Sequence, residues 1–366
     1  MYTKKELTEL NQQFLAMFYK EPQFSPAYNI SGASYRGLNI MRLMIAQNQL
    51  IEDGIVEPEE LSVWGTFKAW KNECSPISKG QKSAAKIVFN KEEQETDKYG
   101  NPVFDRFGPI WKWNSFSYHL FHHNQTGGFR KAEFIKRRDK LQQKAKDEFQ
   151  AKIDAGAVQK TDYLDWINSD PTIDNLRSIL HEWMEIKEIS LVYFSEADKP
   201  TLGGYWDELE NEIGLLDSLL APLPLMPWDV NNMTDLEVLV HECVHSVTPR
   251  HERTLGEYHT DKGYRAEEII AILGTVMLYQ MFGITKSAYA SRIWQGLGDS
   301  WLNDLKELIS EDSSTGLDIM KQTNDRVNEL LRTVFEHRFK IAKAAEETNI
   351  KPPTPWVSTS MYTTID

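Results

Sequence analysis

The sequence contains only two cysteines, Cys74 and Cys243, in 366 residues. Disulfides are therefore excluded as the framework of the fold, and an intracellular setting is expected. No run of eighteen apolar residues occurs, so no membrane-spanning helix and no membrane partner are expected. The opening MYTKKELTELNQQFLAMFYK lacks an uninterrupted apolar segment before a cleavage site and reads as a helix, not a signal peptide. Basic residues are outnumbered: 41 Lys and Arg against 54 Asp and Glu leave a net charge of −13. That balance excludes a chain whose whole surface binds nucleic acid. With 41% hydrophobic residues, however, the chain can build two domains with real cores.

The shortage of positive charge is confined to the rear. Residues 1–150 hold 22 basic against 18 acidic side chains, a net of +4. Residues 151–366 hold the remaining 19 against 36, a net of −17. An asymmetry of this kind points to two partners or two tasks.

The most informative stretch is LVHECVH, Leu239 to His245. His241 and His245, four residues apart, share one face of a helix, and Glu242 lies between them. This HExxH spacing gives a zinc ion two neutral imidazoles and places a glutamate where it can take a proton from the attacking water. Leu236, Leu239, Val240, Cys243, Val244 and Val247 form an apolar stripe beside the histidines. Thr234 with Glu237 predicts the helix start as a capping box, and Pro249 the stop. A third ligand is needed. His251 has the spacing of HExxHxxGxxH but follows Thr248 where glycine belongs. Glu268, in the helical stretch YRAEEIIAILG (Tyr264 to Gly274), fits better, with its neighbour Glu267 still open. Tyr258, His259 and Tyr264 are candidates for stabilising an oxyanion.

In the front half, Trp64 to Asn90 holds five lysines and one acid, Glu73, with the aromatics of WGTFKAW interleaved. Ammonium groups that track phosphates beside rings that stack on unpaired bases are what single-stranded nucleic acid requires. The opposing reading makes Trp64, Phe67 and Trp70 core and the lysines mere solvation. Residues 91–108 read as loop and Trp111 to Gly128 as strand, with His119, His122 and His123 as strand-surface and loop residues. Phe129 to Lys146 carries eight basic side chains and predicts a positive helix, either a DNA-facing surface or a connector between domains. Strands are expected at Ser190 to Phe194 and within Gly203 to Asp217. The strand just before the histidine helix is expected to offer an edge to a peptide substrate.

In this order, the motifs NISGASYRGLNIMRL, WGTFKAW with SKGQKS, FHHNQTGG, LVHECVH, YRAEEIIAILG and SRIWQGLGDSWLNDLKE resemble the ArdC-type antirestriction proteins of plasmids and phages. The resemblance spans about Pro26 to Leu331. It implies an α+β protein of two domains: an N-terminal single-stranded-DNA-binding domain and a C-terminal zincin-like, gluzincin-type metallopeptidase domain. The expected limits are 1–130 for the first, 131–188 for a basic helical connector, 189–348 for the second, and 349–366 for an extended tail. By the resemblance, His241, His245 and Glu268 hold Zn2+, Glu242 is the catalytic base, and Tyr35, Arg36, Trp64, Lys68, Lys79 and Lys82 contact DNA. The implied role is protection of mobile-element or phage DNA in the bacterial cytoplasm, or carriage in a virion, with a protein or peptide substrate for the zinc site. Three departures stand out, one of them an enlargement from Arg130 to Lys187. Ile272 occupies a position where the family usually has an acid, and SVTPRH replaces a small-residue turn. The alternatives are a non-catalytic DNA-coating protein stapled by zinc, and a peptidase whose basic domain docks protein or RNA.

Overall fold

The computed structural model describes residues 4–19, 25–57, 61–99, 101–106, 108–195, 204–216, 231–249, 261–284, 299–311 and 314–347. It is a mixed structure of helices and strands. The front half opens with α1 (Lys4–Tyr19), β1 (Ala27–Asn29) and α2 (Leu38–Glu52). Then come β2 (Ser62–Gly65), α3 (Phe67–Asn72), β3 (Ala85–Gln94), the short pair β4 (Phe104–Asp105) and β5 (Gly108–Pro109), and β6 (Trp111–His122). Four strands form a sheet in the order β1-β2-β6-β3; β1 and β2 are parallel and the other pairings antiparallel. β3 and β6 pair over ten residues, from Ala85 opposite Leu120 to Gln94 opposite Trp111. The loop expected from residue 91 therefore begins later: ladder pairing with β6 carries the polar KEEQ run into the sheet, overriding its low strand preference.

Two details close this sheet. On the outer strand β3, the Asn39 amide donates to the Val88 carbonyl at 3.0 Å, and its oxygen accepts from the Val88 N–H at 3.2 Å. In the turn after β1, Gly32 has φ of 98° and would place a Cβ 2.8 Å from the Arg138 backbone, so only glycine suits the position.

α4 (Lys131–Asp154) leaves the sheet and runs to the rear half. Phe134 near its start and Phe149 near its end are its two fully buried side chains, in different cores. The middle stays in solvent, as befits a bridging helix.

The rear half contains α5 (Tyr163–Ser169), α6 (Ile173–Ile186), β7 (Ser190–Phe194), β8 (Gly204–Asp207) and β9 (Glu212–Leu216). Among the described residues four helices follow: α7 (Asn231–Ser246), α8 (Asp261–Met281), α9 (Asp299–Glu311) and α10 (Thr315–Glu347). The sheet order is β7-β9-β8, with β7 and β9 parallel. Among the described residues the strand that precedes α7 in sequence, β9, is central, and β8 beside it is an edge. α7 already runs at Asn231, so Thr234 lies inside the helix and the capping-box reading misplaced the start. The stripe was right: Leu236, Leu239, Val240, Cys243 and Val244 are all buried.

One large core joins both halves. Ile40, Met41, Met44 and Ile45 of α2, with Phe14 of α1, pack among side chains of α5 to α10. On its other face α2 sends Leu43, Ala46 and Leu50 into the front sheet's own core. A helix apolar nearly all round, as LNIMRLMIA is, must be buried on more than one side. Among the described residues no helix is long and apolar enough to cross a membrane.

Candidate metal centre and nucleic-acid groove

α7 and α8 bring the histidine pair and a carboxylate together. Gly274 of α8 makes this approach possible, since a Cβ there would lie 2.8 Å from Val244 Cγ1 of α7. The end of α7 is anchored by Trp183 of α6, whose indole N–H donates to Ser246 Oγ at 2.9 Å. Upstream of Gly274, Glu268 meets the histidines. His241 Nε2 lies 3.1 Å from Glu268 Oε2 and 3.1 Å from His245 Nε2, and His245 Nε2 lies 3.5 Å from Glu268 Oε1. The three side chains each offer one donor atom within 4.8 Å of the others.

This donor set fits zinc. Bonds of about 2.0–2.2 Å at tetrahedral angles separate neighbouring ligand atoms by about 3.3–3.6 Å, and the three distances lie at or just below that range. Two nitrogens and one carboxylate oxygen leave a fourth position open for a reacting molecule. His251, Tyr258 and His259 lie outside the described residues. Tyr264 is exposed and stands one helical turn before Glu268, on the same side of α8.

Glu242 is buried, and its burial raises its pKa despite the two nearby histidines. A carboxyl shifted upward in this way is better matched to accepting a proton near neutrality. The edge strand β8 lies directly against it: a Cβ on Gly204 would meet Val238 Cγ1 at 2.2 Å and Glu242 Oε1 at 3.4 Å. Glu267 does not share the ligand cluster. Its carboxylate faces His245 Nδ1 at 3.0 Å and is gripped on both oxygens by Arg326 of α10.

The front half offers a groove of about 380 Å³, lined by Asn29, Ser31, Tyr35, Thr66, Phe89, Phe116 and Tyr118 among others. Phe89, Phe116 and Tyr118 are 45%, 40% and 43% exposed, and Phe89 and Tyr118 meet edge to face at 5.7 Å. Trp64, expected to contact DNA, is among the residues that line this groove but offers it no exposed ring. Its ring is wholly buried, with its N–H on Ser62 Oγ at 2.7 Å and an edge-to-face contact with His122 at 4.9 Å. Trp70 is buried likewise, donating to the Phe121 carbonyl at 3.0 Å across a gap that Gly65 keeps open. Within WGTFKAW only Phe67 and Lys68 face solvent, after a helix start capped by Thr66. Lys79 and Lys82 are exposed on the loop before β3 and do not line the groove. Tyr35 lines it half-buried, and Arg36 sits near Asp165 and Tyr163 of α5. His119 is exposed as expected, whereas His122 and His123 are buried, and burial lowers the His122 pKa. The groove rings escaped the sequence reading, although the alternation Phe116, Tyr118, Leu120 carried their signal: one face of one strand.

A protein of this architecture has counterparts among known proteins. Residues 7–133 match the family described as the N-terminal domain of anti-restriction factor ArdC. The structure is similar to the metal-free crystal structure of the antirestriction ArdC protein from plasmid R388. That similarity has a TM-score of 0.50 at 15% identity and covers 89% of this chain and 97% of the other, a likeness of fold. The front part of the chain thus matches the ArdC N-terminal domain family, and the chain shares its fold with that solved protein. A comparison with curated proteins gives no match.

Proposed function

We propose that the chain binds single-stranded DNA through its front half and carries a zincin-like, zinc-dependent peptidase site in its rear half. The single observation that carries the rear reading is the convergence of His241 Nε2, His245 Nε2 and a Glu268 oxygen on one point. Bound there, zinc would supply Lewis-acid polarisation of a carbonyl and a lowered pKa for water. Glu242 accepts the proton of the attacking water and delivers it to the leaving amine. β8, which pairs only with β9 among the described residues, is where an extended peptide would add its backbone.

For the front half, exposed rings in a groove suit unpaired bases, which stack on any π-face, and an exposed lysine nearby suits a phosphate. Lys68 stands on α3 beside the groove-lining Thr66 and Ala69. Binding should therefore weaken as salt rises.

Zinc content and cleavage of candidate host proteins, measured for wild type and Glu242→Gln, test the rear reading. Both proteins should hold one zinc, and the variant should cleave about 10²–10⁴-fold more slowly. If both hold zinc and neither cleaves, the ion is a staple and the peptidase reading is lost.

A further inference from the structure

On the reading that His241, His245 and Glu268 hold a metal ion, we infer that Glu267 and Arg326 are a positioning pair that presents the His245 ring to that ion. Neighbours on a helix point about 100° apart, so two adjacent glutamates on α8 do different things. Glu268 reaches the point where the histidines meet. Glu267 reaches behind His245.

His245 has two ring nitrogens with separate surroundings. Its Nε2 faces His241 Nε2 at 3.1 Å and Glu268 at 3.5 Å. Its Nδ1 faces Glu267 Oε1 at 3.0 Å. A carboxylate can only accept there, so Nδ1 carries the hydrogen and the Nε2 lone pair is left for a metal. Glu267 in turn cannot rotate away. Arg326 donates to both of its oxygens, with Nη2 to Oε2 at 2.8 Å, and the paired side chains are only 3% and 4% exposed.

A structural staple between α8 and α10 is the bland account of this pair. Buried ion pairs, however, contribute little to stability over apolar replacements of the same volume. What this pair supplies is a carboxylate of fixed position at one ring nitrogen. His241 has no such support: its buried Nδ1 finds no hydrogen-bond partner among the described residues. Ile272, one turn beyond Glu268, is buried and apolar and can offer none. Among the described residues, then, orientation by a carboxylate is given to His245 and not to His241.

The test measures zinc affinity by competition with a chromophoric chelator, beside thermal melting of the metal-free protein. Wild type should bind one zinc, and E267Q should bind it about 10–100-fold more weakly at unchanged stoichiometry. E267Q leaves a lone buried guanidinium, so E267Q combined with R326M is made as well. That double variant should melt closer to wild type and still bind zinc weakly. Wild-type affinity in a folded double variant would overturn the inference and leave the staple. In zinc-loaded wild type, nitrogen-15 shifts should report His245 protonated at Nδ1; a metal-bound Nδ1 would overturn it too, with no variant needed. Failure of wild type to take up any zinc would instead overturn the ligand reading itself.

Discussion

Protons and a metal ion compete for the same atoms in this site. Burial lowers the His245 pKa, but Glu268 and Glu267 outweigh it and hold the ring's pKa up at about 10. Burial raises the Glu267 pKa, yet His245 and Arg326 outweigh it and take the carboxyl down to about 2. For Glu267, whose folded value is depressed, the contribution to stability is present above the ordinary carboxylate value of about 4.3 and is lost as pH falls through about 2. For His245, whose folded value is raised, it is present below the ordinary value of about 6.5 and is lost as pH rises through about 10. The metal-free protein should therefore keep the whole of this contribution between about pH 4.3 and 6.5, and calorimetric melting points should fall on both sides. A ligand nitrogen must be free of its proton, so zinc uptake at pH 7 should release close to one proton. Titration calorimetry in buffers of different ionisation heat measures that number; a value near zero would mean His245 is already neutral.

At the scale of elements, the two aromatic populations of the front half should separate cleanly. Phe116→Ala removes a half-exposed groove ring and should weaken single-stranded DNA binding by about 1–3 kcal/mol, with the fold unchanged. Trp64→Ala empties a buried site and should cost about 3–5 kcal/mol of stability, read from denaturant midpoints. Equal effects of the two changes on stability would refute this division. Sequence alone divided these rings poorly, because WGTFKAW mixes inward and outward positions over a strand end, a cap and a short helix. Periodicity changes twice within those seven residues, so no single repeat describes them. The rear site was far more legible. HExxH on one helix and Glu268 on the next obey one period each, and the three side chains lie close together. What could not be read was the grip of Arg326 on Glu267, since 59 residues separate them and no local pattern links them. Nor could the helix start at Asn231, because a polar Thr-to-Glu spacing inside a helix looks the same as a cap.

Taken as a whole molecule, the chain joins its halves through α2. The rear surfaces that bury Phe14, Ile40, Met41, Met44 and Ile45 would be opened to water in a fragment of residues 134–366. At about 1.5–3 kcal/mol for each large apolar side chain, that loss rivals the about 5–15 kcal/mol by which domains are stable. The fragment should lack a cooperative melt that the full chain shows; a sharp transition near the full-length value would mean the rear half stands alone. The sheet's outer boundary carries a further consequence. Asn39 occupies both backbone groups that Val88 turns outward from β3. A second chain seeking to extend the sheet there meets a side chain already in the place its own backbone would take. Growth by strand addition is thereby stopped midway along the longest ladder, and the aromatic face stays the surface on which that sheet can receive a guest.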